Sequence, residues 1–222
     1  MVGKGMPRKK ARDEARAARN GVYLQHILDA AERVFAERGY ETAKVVEIAY
    51  DCGLSMGTIY AIFPGKSELY AALLEERGQE LLRLARGVAA RDLGPREALF
   101  ALIEVYIEYF VQHPAFLRMH LRSGASWALG PAVGTPKQVG YWEEIHALQA
   151  DIFRRGVAAG EFLDEEPGYL AKLFSAMDQV LLADWVAGGM TASRDVLVRR
   201  LRDMVDRALC LPAVAKKRTA AR

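Results

Sequence analysis

The sequence is poor in the residues that build covalent or metal-stapled scaffolds, with two cysteines and four histidines in 222 residues. Cys52 and Cys210 stand far apart, which fits reduced thiols and excludes a disulfide framework. No run of 18 uninterrupted apolar residues occurs, and the start of the chain has no signal-like apolar stretch. A nucleotide-binding glycine loop and a G-x-S-x-G nucleophile elbow are also missing. These absences predict a soluble, cytoplasmic protein without cofactor or metal site. With 51% hydrophobic residues, the chain has enough apolar material for one good core, or for a small domain joined to a larger one.

Charge is unevenly placed. Residues 1–20 carry a net +5, the last seven residues +4, and the stretch between them −6. Basic ends on an acidic body fit tails that follow a polyanion, or solubilising tails with no structure of their own. Residues 1–20 are therefore read as a flexible basic arm and 212–222 as a basic tail.

Glycine and proline divide the remainder into helices. Leu24, Ile27, Leu28, Ala31, Val34 and Phe35 recur at helical spacing up to Gly39, which predicts a helix over 21–38. A second helix, 44–52, carries Val45, Ile48, Ala49 and Cys52 on one face and stops at Gly53. Ser55 is placed to cap a short third helix that Pro64 ends, with Leu54 and Ile59 spaced as a hydrophobic staple. Gly65 and Glu68 then open a fourth helix towards Gly87. Two short helices crossing closely need a small side chain at the contact, a turn residue tolerant of positive φ, and apolar anchors on the second helix. Ala49, Gly53, Ile59 and Ile62 meet those needs, so residues 21–66 read as a helix-turn-helix domain.

On Gly39, Tyr40, Val45, Ile48, Ala49, Gly53, Ser55, Gly57, Thr58, Tyr60, Phe63, Lys66 and Leu69, the stretch "GYETAKVVEIAYDCGLSMGTIYAIFPGKSELYAAL" resembles the DNA-binding domain of the TetR family of bacterial transcriptional regulators. The resemblance implies an all-α homodimer that binds operator DNA and is released by a small-molecule effector. It also implies that the last two helices form the dimer contact. The family commonly has Thr or Ser just ahead of the second helix; Ala43 and Lys44 stand there, so Lys44 is expected to supply a backbone contact by charge.

With Ile59, Ile62 and Phe63 turned inward, Ser55, Met56, Gly57, Tyr60 and Ala61 are left to face a groove, with Thr58 at the margin. None is Arg, Asn or Gln, so sequence choice is expected to lean on shape and apolar contact rather than bidentate readout. Lys66 at a helix N-terminus is expected on a phosphate. Residues 21–66 are net −2, so Arg16 and Arg19 of the arm are expected to bring charge to the minor groove or adjacent phosphates.

Residues 67–211 read as a helical ligand-binding and dimerisation domain, with helices at 95–113, 137–159, 167–187 and 193–210, a short segment at 114–124, and a loop through "SGASWALGPAVGTPK". Tyr106, Tyr109, Phe110, Phe116, Met119 and His120 are candidate wall residues for an effector pocket, as are Trp127, Trp142, Phe153, Phe174 and Met177. Each taken singly also fits ordinary core packing. Asp178 shares a helical face with Phe174, Leu181 and Trp185, where a carboxylate is costly unless paired. It would meet a cationic ligand, a partner side chain or an Arg of the same bundle. Two rival readings remain: an enzyme using Glu143 and His146 as an E-x-x-H pair, and a constitutive DNA-binding protein without ligand. Di-iron bundle chemistry needs two such pairs, and the sequence has one.

Overall fold

The computed structural model describes the backbone of residues 6–131 and 134–212, and side chains from Gly21 onward. Among the described residues the chain is all-α, with only two isolated bridges in place of strands. The N-terminal unit consists of α1 (Met6–Arg38), α2 (Val45–Cys52) and α3 (Met56–Tyr60). The long α4 (Lys66–Ala89) leads out of it into a bundle of α5 (Pro95–Gln112), α6 (Pro114–Arg122), α7 (Pro136–Ala158), α8 (Pro167–Ala187) and α9 (Arg194–Leu209).

Local sequence accounts for most helix ends. Prolines occupy the first turn of α5, α6, α7 and α8, where the missing N–H costs nothing. Ser55 Oγ accepts from the Thr58 N–H at the start of α3, and Thr135 and Gln138 cap α7 reciprocally. Gly53 has φ 67°, the left-handed conformation that the turn between α2 and α3 requires.

One element differs from expectation. The first helix begins at Met6, so residues 6–20 of the stretch read as a flexible arm continue α1 without a break. The reason is propensity: the stretch is dominated by Ala, Arg, Lys and Glu, with Pro7 beside the first position and no internal breaker. The side chains of Arg16 and Arg19 lie outside those described, as do residues 213–222, which hold nearly all of the expected C-terminal tail.

The N-terminal core gathers Ile27, Ala31, Phe35, Ile48, Ile59, Leu69 and Leu73, all buried; Leu24, expected on that face, is instead exposed. In the bundle, α7 packs against both α4 and α8, and α5 packs on α4, α7 and α9. Gly156 of α7 permits close approach of the segment after it, since a Cβ there would lie 2.0 Å from the Phe162 ring. Ion pairs link the polar edge of α5 to α9: Glu104 with Arg202, Glu108 with Arg194, and Arg96 with Asp206.

Candidate functional site

The first part of the site is the outer surface of the helix-turn-helix. Ser55, Gly57, Tyr60 and Ala61 are exposed, Met56 and Thr58 are half-buried, and Ile59 and Phe63 point into the core. The Ser55 and Thr58 hydroxyls are 2.9 Å apart and share a hydrogen bond. Lys44 is exposed at the N-cap of α2, where its own backbone N–H donates to the Glu47 carboxylate at 3.0 Å. Arg33 pairs with Asp51 at 2.6 Å, which spends one of this surface's cations within the domain.

Lys66 departs from its expected role. Its ammonium donates to the carbonyls of Tyr40, Glu41 and Ala43 at 2.7, 3.1 and 3.2 Å, and it lies 4.5 Å from the centre of the Tyr40 ring. An ammonium has three N–H donors, and all three are used here. Lys66 therefore ties the turn after α1 to the start of α4, instead of standing free for a phosphate.

The second part is a cavity of about 840 Å³ that runs from the bundle to the back of the helix-turn-helix unit. Of the residues considered as pocket walls, Tyr106, Phe110, Phe116, Met119, His120, Trp127, Trp142 and Asp178 line it. Tyr109, Phe153, Phe174 and Met177 do not. Tyr109 turns away to donate to Glu80 at 2.7 Å, Phe153 packs in the core against Phe162 and Phe174, and Met177 packs against the core from its edge. At the other end Phe35, Tyr40 and Tyr70 close the cavity as a cluster of rings, with Phe35 and Tyr70 edge-on at 5.0 Å. Gln149 and Ser175, also on the wall, were missed; their signal was a polar residue three positions from His146 and from Asp178 on otherwise buried helix faces.

The loop before α7 is held down over this cavity. The Trp127 carbonyl accepts from Trp142 Nε1 at 2.9 Å and contacts His146 Nε2 at 2.8 Å. A carbonyl only accepts, so His146 carries its proton on Nε2. Gln179 clasps the same loop, donating to the Ala125 carbonyl and accepting from the Trp127 N–H. Trp127 lies stacked on Phe110, with ring centres 5.0 Å apart. Glu143 is exposed and His146 is engaged with the loop, and no cluster of potential metal ligands occurs among the described residues.

Burial sets the electrostatics of the interior. It pushes the His120 imidazole down to about 4 and lowers His146 as well, and it pushes the Asp178 carboxyl up to about 7. Asp178 Oδ1, Tyr106 OH and Trp127 Nε1 are buried without a hydrogen-bond partner, and all three residues line the cavity. Native interiors rarely leave such atoms unsatisfied, and here three of them converge on one cavity.

A buried ion network joins the two parts. Arg77 of α4 donates to Glu32 of α1 at 2.7 Å and to Glu80 at 2.9 Å. The second oxygen of Glu32 accepts the Phe116 N–H at the start of α6, 3.2 Å away. Phe116 is itself a wall of the cavity. Burial alone would lower the Arg77 guanidinium, but Glu32 and Glu80 outweigh it and hold the group above its ordinary value.

Residues 27–73 match the family model described as "Bacterial regulatory proteins, tetR family". The chain is 25% identical over 183 residues to YuxN of Bacillus subtilis, an uncharacterised HTH-type transcriptional regulator; the alignment covers 81% of this chain and 62% of that protein, so the chain spans less than two thirds of that relative's length. Its fold is similar to that of the regulator FadR from Bacillus subtilis in complex with stearoyl-CoA, at 18% identity and a TM-score of 0.68 over 82% of this chain and 96% of that one. A transcriptional regulator from Saccharomonospora viridis in complex with choline is similar at 22% identity and a TM-score of 0.69, over 86% and 100% of the two chains. The matched segment contains α2, α3 and the turn between them, so this part of the chain is similar to the DNA-binding segment of bacterial regulators of the tetR family, and the bundle that follows it is similar in fold to the helical part of the two solved regulators.

Proposed function

We propose that this chain is a transcriptional regulator that binds operator DNA as a homodimer and is released from it by a small, largely apolar effector. The observation that carries this reading is the continuity of the cavity with the DNA-binding domain. Phe116 walls the cavity and, through its N–H, holds Glu32 of α1. An effector that moves α6 acts directly on the buried Glu32–Arg77 pair, and so on the angle between the DNA-binding domain and α4. It releases DNA if it binds better to the arrangement in which the two heads of the dimer miss successive major grooves. Two regulators similar in fold, one in complex with stearoyl-CoA and one in complex with choline, support a small-molecule effector.

On DNA, α3 enters the major groove with Met56 and Ala61 placed for thymine methyl groups. Ser55, Thr58, Tyr60 and Lys44 are placed for phosphates. The dimer is supported by one face of α8, where Tyr169, Ala176, Val180 and Ala187 recur at helical spacing; Tyr169 and Val180 are exposed at 51% and 64%. Selection of binding sites from a random DNA pool tests the reading. A two-fold symmetric motif should be enriched, and Tyr60→Ala and Lys44→Ala should weaken binding to it without unfolding the protein. Enrichment of no motif would refute the reading.

A further inference from the structure

The chain buries a carboxylate and leaves it without a countercharge. Asp178 lies on the inner face of α8, 4% exposed, on the wall of the cavity. Its Oδ1 has no partner, and no ion pair reaches it among the described residues. The two arginines of the cavity stand at its far end and are engaged there: Arg122 donates to the carbonyls of Ala36 and Glu37, and Arg38 faces Glu47. A buried carboxylate left unpaired is unfavourable, and in most proteins such a group is paired or replaced.

The groups around it point the same way. From α5 the cavity wall presents Tyr106, from α6 His120, and from α7 His146. Both histidines are held neutral at pH 7 by burial, so none of these neighbours supplies a positive charge. Burial first, and the Asp178 charge after it, raise the Tyr106 phenol above its ordinary value and keep it protonated. Aromatic rings make up much of the remaining wall, among them Phe110, Phe116, Trp127 and Trp142. Ring faces attract cations, most strongly where water is excluded. At the Asp178 end of the cavity an anionic head group would find no cation and would be repelled by the carboxylate; Arg122 and Arg38 stand at the opposite end.

We infer that the effector is an organic cation with an apolar body, its ammonium group held by Asp178 and by the faces of the surrounding rings. Trp127 Nε1, a buried donor without an acceptor, takes a hydroxyl, ether or carbonyl oxygen on the same molecule. A cavity of about 840 Å³ admits a molecule of drug-like size. The inference rests on the effector reading above and names the chemistry of that site.

Three probes with one chain and three head groups separate the possibilities: dodecyltrimethylammonium, 1-dodecanol and dodecanoate, titrated calorimetrically below their aggregation range into the full-length protein and into Asp178→Asn. At pH 8 the cation should bind wild type at least tenfold tighter than the alcohol. Asp178→Asn should remove that preference and leave the alcohol unchanged. In wild type alone, lowering the pH from 8 to 5.5 should weaken the cation roughly thirtyfold as the carboxyl takes a proton, and leave the alcohol unaffected. This arm keeps the test valid if the variant does not fold. Equal or tighter binding of the alcohol or of dodecanoate, or a cation preference that survives Asp178→Asn, would overturn the inference while leaving an effector cavity in place. Binding of none of the three would reject the effector cavity itself.

Discussion

Replacing Asp178 with asparagine should stabilise the ligand-free protein, and by an amount that grows with pH. Burial lifts this carboxyl from an ordinary 3.8 to about 7. Between those values the native chain holds a proton that the unfolded chain has released. Stability contributed by the group is complete below about pH 4 and is lost as pH rises towards 7. At 1.36 kcal/mol per unit, the whole effect is about 4 kcal/mol, of which about 2 kcal/mol falls between pH 5.5 and 7. Glu75 and Glu80 work in the opposite sense. At Glu75 the Thr135 hydroxyl lowers the carboxyl against the effect of burial. At Glu80 burial acts to raise the carboxyl, but hydrogen bonds from Tyr109 and Arg77 outweigh it. They are present in both proteins, so the difference between variant and wild type isolates Asp178. Urea unfolding at pH 5.5 and pH 8, at one protein concentration, measures that difference. The asparagine variant should gain about 2 kcal/mol on wild type across this range. A difference that is constant, or that shrinks as pH rises, would refute the picture of an unpaired buried carboxylate.

Arg77→Met should cost about 3–5 kcal/mol by stranding Glu32, and adding Glu32→Gln should recover most of it; additive losses in the double-mutant cycle would show that the two residues do not act as a pair. Lys66→Met should lower the stability of the DNA-binding domain by about 1–3 kcal/mol through three orphaned carbonyls and leave the salt dependence of DNA binding unchanged. A reduced salt slope would return Lys66 to the phosphates. Deleting residues 1–19 should weaken DNA binding and flatten its salt dependence, measured by fluorescence anisotropy from 50 to 200 mM salt. Unchanged affinity and slope would remove the basic segment from the interface.

The helical layout was legible because its punctuation is local. Pro95, Pro114, Pro136 and Pro167 each open a helix, and Gly39 and Gly53 each close one with positive φ. The start of α1 was not, because a run of lysines and arginines reads equally as a solvated tail or as a helix of good formers. The cavity wall was only partly legible. α5 is buried on nearly all sides, so the spacing of its aromatics does not separate Tyr106, which faces the cavity, from Tyr109, which faces Glu80. Phe153 and Phe174 pack into the core beside Phe162, a contact made possible by Gly156 that no short-range pattern announces. Lys66 stood at the start of a helix, as an anion-binding residue would. The three carbonyls that claim it belong to a turn more than twenty residues upstream. Asp178 is the reverse case: a carboxylate on an apolar helical face was conspicuous in the sequence, and the structure leaves it buried and unpaired.

Hydroxyl-radical footprinting on the DNA flanking the gene that encodes this chain, at two salt concentrations and against random competitor, tests the central claim most directly. The account predicts two protected blocks related by a two-fold axis, with centres about one helical turn (34–36 Å) or a multiple of it apart, persisting at the higher salt. Diffuse protection without symmetry that vanishes as salt rises would contradict it.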